Sequence, residues 1–266
     1  MSALEVRAVP MLRDNYGWLI SAPGSRRAAV VDPSEAAPVL AAAEAAGLEL
    51  VAALATHHHL DHVGGVLELV AARPGLEVLG FGPDAARLPG LTRALADGEA
   101  FEVAGLRGRV LAVPCHTRGH VAYAFEGAGR PTLLFTGDTL FAAGCGRFFE
   151  GTADDMHRAL ATLARFADDT AIFCGHEYTE SNLRFAASVE PSNPAIARKA
   201  EEVRALRGAG RPSVPTRLGE ERAYNPFLRL AAPELVASLL RARPEASLED
   251  EVEVLRELRA LKDAFV

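Results

Sequence analysis

The chain changes texture near residue 176. Before that point, short apolar, β-branched or alternating runs recur at 4–9, 17–21, 28–31, 50–55, 77–79, 109–113, 121–125, 132–135 and 170–173. Runs of this length and composition predict strands. Between them, apolar positions at helical spacing predict helices over 36–45, 63–72 and 154–166, with Ser34 and Thr152 as N-caps. Strands and helices mixed in this way predict stacked layers around β-sheet. After residue 176 almost no strand pattern is left. Helices are predicted over 180–189, 193–206, 232–241 and 248–261, punctuated by prolines from Pro191 to Pro244. The expected organisation is a layered α/β domain over residues 1–176 and a helical domain over residues 177–266.

Composition narrows the partners. With 49% hydrophobic and 24% charged residues the chain has an ordinary globular balance. A net charge of −7 offers no basic surface for nucleic acid or acidic membranes. No apolar run approaches the ~20 residues that a membrane helix needs. Residues 1–6 lack a basic start and an apolar signal core, so a cytoplasmic location is expected. Nothing in the sequence sets the oligomeric state, and a monomer is the simplest expectation. Cys115, Cys145 and Cys174 form no CxxC pair and read as free thiols in a reducing compartment, buried as small side chains beside strand ends.

The chemistry is concentrated in Thr56-His57-His58-His59-Leu60-Asp61-His62. Four of the eight histidines fall within six consecutive positions. The apolar run 50–55 precedes them, and Gly64-Gly65 and a helical pattern follow, so the cluster reads as a loop between a buried strand and a helix. Neutral imidazole and carboxylate are good ligands for zinc and similar divalent ions. Without a cation, so many polar groups at the edge of a core would be costly unless each found a partner.

Three other segments share that position at a strand end. They are Pro114-Cys115-His116-Thr117-Arg118-Gly119-His120, Thr136-Gly137-Asp138-Thr139 and Cys174-Gly175-His176-Glu177. Polar groups at strand ends of a layered α/β protein converge on one edge. His57, His59, Asp61, His62, His120, Asp138 and His176 are then the candidate ligands. Seven exceed the needs of one tetrahedral ion and suit two neighbouring ions sharing a carboxylate. His58 and His116 are left over, His58 as a positioning or solvent-facing residue and His116 as a residue that orients a ligand by hydrogen bonding.

The pattern T-H-x-H-x-D-H followed by G-H, G-D and G-H resembles the metallo-β-lactamase superfamily. Within it the chain is similar to the glyoxalase II (hydroxyacylglutathione hydrolase) family. The likeness spans nearly the whole chain, through Asp14-Asn15-Tyr16, Val31-Asp32-Pro33, Gly144-Cys145-Gly146-Arg147-Phe148-Phe149-Glu150, Tyr224-Asn225-Pro226-Phe227 and the closing Arg259-Ala260-Leu261-Lys262-Asp263. The histidine motif marks only the superfamily. The helical ending makes the match specific. The resemblance implies an αβ/βα sandwich of two mixed β-sheets flanked by helices, followed by an all-helical glutathione-binding domain. It implies two divalent ions, zinc in the first place with iron or manganese as the other candidates. One would be held by His57, His59 and His120, the other by Asp61, His62 and His176, with Asp138 between them. It also implies that Arg147, Phe149, Tyr178, Arg259 and Lys262 bind the glutathione thioester. Some relatives carry tyrosine where Phe149 stands, and lysine where Arg147 stands.

The reaction follows from the ions. They would share a hydroxide, oriented by Asp61, that attacks the thioester carbon, and S-D-lactoylglutathione would yield glutathione and D-lactate, as in methylglyoxal detoxification. Glutathione is a net anion, so a protein of net charge −7 must present a local cationic patch. By spacing alone Arg259 and Lys262 read as a solvated helix face paired with Asp263 and Glu257, and only the resemblance makes them ligands. The competing expectations are a single-iron glutathione persulfide dioxygenase and another hydrolase of the superfamily such as a lactonase. A non-catalytic metal-binding scaffold is disfavoured by the complete ligand set.

Overall fold

A computed structural model describes residues 4–126 and 131–265. Its first sheet contains β1 (Glu5–Met11), β2 (Asn15–Ser21), β3 (Arg27–Val31), β4 (Glu49–Leu54), β5 (Glu77–Phe81) and β6 (Arg93–Leu95), side by side in chain order. β1 to β3 are antiparallel and β3 to β6 parallel. The second sheet begins with β7 (Ala100–Val103), β8 (Leu106–Ala112), β9 (Val121–Phe125) and β10 (Leu133–Gly137). A separate hairpin, β11 (Leu140–Phe141) and β12 (Gly144–Cys145), interrupts it before β13 (Ala171–Cys174) and β14 (Thr216–Arg217). Its spatial order is β14-β13-β10-β9-β8-β7, with β10 and β13 parallel and the other pairs antiparallel.

Alternation along the strands explains why the sheets stack. Trp18 and Ile20 of β2, Leu54 of β4, Phe135 of β10 and Phe173 of β13 point into the core between the sheets. Their neighbours Leu19 and Ala53 face outward beneath α1 (Ala36–Ala45) and α3 (Val66–Ala72), which cover the first sheet. Leu134 and Ile172 face the other way, onto the helices of the second sheet. Fully buried residues such as Leu19, Ile20 and Phe135 are each worth about 1.5–3 kcal/mol. Apolar burial of this kind holds the layers together and leaves the polar groups to the rim. The two-sheet sandwich flanked by helices agrees with the expected architecture.

The outer layer of the second sheet comes from α4 (Ala153–Leu163) and from the region after His176, which contributes α5 (Thr179–Val189), α6 (Pro194–Gly208), α7 (Leu218–Tyr224), α8 (Pro233–Ala242) and α9 (Glu251–Asp263). Met156 and Leu160, Phe185, Leu235, and Leu255 and Leu258 share one apolar cluster with Leu134 and Ile172. α4 starts where Thr152 caps it, in a reciprocal box with Asp155.

Several sequence expectations need correction. The helix predicted over 63–72 is two helices, α2 (Leu60–Val63) and α3, parted at Gly64-Gly65. A Cβ on Gly64 would stand 2.8 Å from Ser34 O and one on Gly65 2.6 Å from Ala36 N, so the glycines let this turn lie against the start of α1. Ser34 is not a cap. Glu35 occupies the cap position without a side-chain bond, and the Ser34 hydroxyl donates to the Asp61 carbonyl instead. β6, β7, the β11–β12 hairpin and α7 are too short for a periodic signal. β14 breaks the expectation of an all-helical ending, because this two-residue strand pairs onto the edge of β13. All three cysteines are free and buried, as expected.

Candidate active site

Three strands, β4 of the first sheet and the parallel pair β10 and β13 of the second, end at the same rim of the sandwich, and each delivers polar residues there. β4 runs into His57, His58 and His59, and the first turn of α2 carries Asp61 and His62. Asp138 follows β10 and His176 follows β13, while His116 comes from the loop between β8 and β9. Ligand-type atoms gather within 4.8 Å in three overlapping groups: His57, His59 and His116; His57, His62 and Asp138; and Asp61, His62 and His176. Asp138 stands in the middle. Its Oδ1 is 3.3 Å from His62 Nε2, and its Oδ2 is 3.4 Å from both His116 Nε2 and His176 Nε2.

Almost every ring is held from behind. His62 Nδ1 is 3.0 Å from Asp32 Oδ2, and His176 Nδ1 is 2.9 Å from Asp14 Oδ1. Asp32 is itself anchored by the Thr56 backbone N–H and hydroxyl, each donating at 2.8 Å. His57 Nδ1 lies 3.1 Å from Thr56 Oγ1. Asn15 donates to the Asp61 carbonyl at 2.8 Å and to its carboxylate at 3.3 Å. Backbone bonds from Tyr16 to Gly175 and from Glu177 to Asp14 fasten the β1–β2 turn beside His176.

Charge divides the site. Burial pushes the pKa values of His57, His59 and His116 down, so these rings present neutral lone pairs. Burial opposes charge on His62 and His176 too, but carboxylates outweigh it. Asp138 and Asp32 push His62 well up, and Asp138 and Asp61 push His176 to about 10. A hydrogen bond from His176 holds Asp61 far below the usual carboxylate range, and the His62 and His176 imidazoles hold Asp138 down against its own burial. The neutral imidazoles of His57, His59 and His116 and the ionised carboxylates of Asp61 and Asp138 form a donor set that suits a divalent cation, which would displace the ring protons of His62 and His176 on binding. Among the described residues, His57 Nε2 and Asp138 Oδ1 are buried without a hydrogen-bond partner, a costly state that a cation between them would relieve. The residues therefore fit a metal.

His120 does not join these groups, contrary to the sequence expectation. Its Nε2 accepts from the Asp138 backbone N–H at 3.0 Å and its Nδ1 lies 3.3 Å from Thr139 Oγ1. Both nitrogens are thus engaged behind Asp138, with the ring stacked on His57. The reason is its place in the chain. Its carbonyl and the next residue are already in backbone ladders, with Val113 and Thr56, so it cannot swing forward. His116, expected only to orient a ligand, sits at the rim, with Nε2 3.1 Å from His59 Nδ1. His58 points away, toward Asp84.

A cavity of about 500 Å³ opens over this floor. Its walls include Phe141, Arg147, Phe149, Tyr178, Arg259 and Lys262, so the structure gathers the expected binding residues around one space. Tyr178 stacks on His176 at 4.6 Å, and the exposed Phe149 ring lies 5.1 Å from that of His116. Arg147 is exposed and paired to Asp263 at 3.2 Å. Lys262 is half-buried, 3.4 Å from Ser181 Oγ. Burial and the neighbouring Arg259, Arg184 and Arg147 lower its pKa to about 8. Arg259 is no solvated residue. It is 6% exposed, donates to the Cys145 carbonyl and pairs with Asp263, both at 3.0 Å. Burial lifts the thiols of Cys115, Cys145 and Cys174 to about 12, 11 and 12, so none is a thiolate nucleophile at neutral pH.

Asp14, Asn15 and Asp32 received no role from the sequence. They brace residues up to 162 positions away, and no local spacing announces such a pairing.

Residues 13–176 match the family model of the metallo-beta-lactamase superfamily, and residues 177–265 match that of the hydroxyacylglutathione hydrolase C-terminus. The chain is 49% identical to a hydroxyacylglutathione hydrolase of Methylococcus capsulatus, over 98% of this chain and 99% of that protein. Among solved structures, ETHE1 from Myxococcus xanthus aligns with a TM-score of 0.63 at 21% identity, covering 98% of this chain and all of that one. TTHA1623 in a di-iron-bound form aligns with a TM-score of 0.59 at 24% identity, over 84% of this chain and 100% of that one. These two likenesses speak for the fold alone.

Proposed function

The chain belongs to the metallo-β-lactamase superfamily and, within it, to the hydroxyacylglutathione hydrolases, and on that footing we propose that it hydrolyses S-(2-hydroxyacyl)glutathione, with S-D-lactoylglutathione as substrate, to glutathione and a 2-hydroxy acid. The observation that carries the reading is the central carboxylate of Asp138, which faces imidazoles of both outer groups on the floor of a cavity with cationic walls.

In this reading two divalent ions, zinc with iron and manganese as alternatives, would be held by His57, His59 and His116 and by Asp61, His62 and His176, with Asp138 available to both sets. His116 replaces His120 in the first set because only His116 turns a ring nitrogen to the cluster. When bound, such ions supply Lewis acidity and a water acidic enough to deprotonate near neutral pH. The chain's own residues do the rest. Asp61, kept ionised and tethered by Asn15, is the acceptor that orients the attacking water. Asp32 and Asp14 fix the tautomers of His62 and His176.

Arg147 and Lys262 attract the carboxylates of glutathione, and Tyr178 and Phe149 line its path to the floor. Arg259 braces the wall through the Cys145 carbonyl. Residues 177–266 act as the glutathione-binding domain. In this reading the enzyme is taken to be cytoplasmic and, as the simplest arrangement, monomeric. Among the described residues no helix is long and apolar enough to cross a membrane.

The direct test incubates the metal-analysed protein with S-D-lactoylglutathione and follows loss of thioester absorbance. Turnover by protein carrying two ions per chain supports the reading. No turnover by loaded protein removes it, and oxygen uptake with glutathione persulfide would point to a dioxygenase instead.

A further inference from the structure

Outside the cavity wall, one ion network ties together three segments that each carry site residues, and nothing in the proposed reaction uses it. Asp84, 4% exposed in the turn after β5, accepts from Arg87 Nε at 2.6 Å and from His58 Nδ1 at 3.2 Å. With that proton on Nδ1, His58 Nε2 is left to accept from Arg87 at 3.4 Å. Arg87 also forks onto Glu150, with its two terminal nitrogens 2.6 and 3.2 Å from the two carboxylate oxygens. Glu150 in turn accepts from the Arg118 backbone N–H at 2.7 Å. Gly119 makes room for Asp84, since a Cβ there would stand 2.2 Å from the Asp84 carboxyl carbon.

Each anchored residue neighbours a site residue in the chain. His58 lies between His57 and His59, Glu150 follows Phe149, and Arg118 is two residues beyond His116. An isolated surface ion pair would deserve little weight. This one is a charge-assisted, bidentate network with a buried carboxylate at its root. The loop it holds, residues 147–151, carries the exposed Arg147 and Phe149. Phe149 leans on the His116 ring at 5.1 Å, and the loop backbone is also tied at the Arg147 carbonyl to His116 and at the Glu150 N–H to the Cys115 carbonyl.

We propose that Arg87 and Glu150 are positioning residues, a latch that clasps the 147–151 loop to the histidine motif so that the glutathione wall is ordered before substrate arrives. A loop left free would have to be ordered at the moment of binding, at a cost in affinity. The proposal rests on the functional reading above for its ligand, not for the latch itself.

The test uses full-length, metal-loaded Arg87→Ala, Glu150→Ala and their combination, with S-methylglutathione as the binding probe. Its Kd is expected to rise about tenfold in each single variant and no further in the double, because both changes open one latch. Glu150→Gln, which keeps the size and loses the charge, should move the same way by less. A lactoyl thioester of N-acetylcysteamine has no glutathione carboxylates to grip, and its kcat/KM should stay within about twofold of wild type. Amide hydrogen exchange over 147–151 should quicken in every variant. Wild-type exchange rates there, an unchanged Kd, or equal losses on both thioesters would overturn the latch. If the wild-type protein neither binds S-methylglutathione nor cleaves the lactoyl thioester of glutathione, the functional reading fails, and exchange over the loop alone decides the latch.

Discussion

The floor and the wall of one cavity are built on opposite terms. On the floor, His57, His62, His176 and Asp138 are buried, and the imidazoles of His62 and His176 are backed by the carboxylates of Asp32 and Asp14. On the wall, Arg147 and Phe149 stand in solvent, and a single carboxylate, Asp263, links Arg147 to Arg259. Rigid strand ends therefore preorganise the reacting centre, whereas recognition relies on side chains that water reaches. The lesson is a division of labour. Damage to the floor should appear in turnover and metal affinity, and damage to the wall in substrate affinity.

The hardest test of that division is Asp138→Ala. Removal of the carboxylate proposed to serve both ions should lower kcat about a thousandfold or more, with melting temperature recorded alongside. A loss of less than tenfold in steady-state kinetics would break the comparison at its centre. Next comes Asp32→Ala, which leaves every proposed ligand in place but frees the His62 ring. Metal affinity by chelator competition should fall about 10–100-fold, and an unchanged value would mean that packing alone orients the ring.

On the wall, Lys262→Ala should raise KM about tenfold while kcat stays within about twofold. The same residue gives a pH signature. Its pKa in the free enzyme is lowered to about 8, and a bound carboxylate favours the charged form. Affinity is therefore complete below pH 8 and declines as pH rises through that value, so KM should be flat on the acid side and climb above it. Loss of that climb in Lys262→Ala would sharpen the assignment, and its persistence would move it elsewhere. The smallest effect belongs to Phe149→Tyr. Restoring a hydroxyl at an exposed position should lower KM by about threefold at most, and an increase would show that the ring, not a polar contact, is what the wall needs there.

Legibility follows the same division. The floor was readable because ligand chemistry is rare, clustered and placed at strand ends, and those strands announced themselves by apolar runs. One choice within it was not. His116 and His120 lie four residues apart in one loop, and only the ladders around Val113 and Val121 show that His120 is turned inward. The wall was readable only by resemblance. Arg259 looked solvated, although its place beside Leu258 and four residues after Leu255, both buried on α9, marks the apolar face of that helix. The latch through Arg87 and Glu150 joins residues 63 positions apart and left no local trace.

The sequence by itself determined the chemistry on offer: the layered class, the strand ends, the donor atoms and the change to helices after residue 176. These are properties of short segments, set by side-chain type and by periods of two and 3.6 residues. The tertiary structure alone decided which imidazole nitrogens meet, which carboxylate stands behind each ring, and which cations are buried. Those outcomes depend on how segments from 30 to 162 residues apart pack against one another, a relation that no local pattern contains.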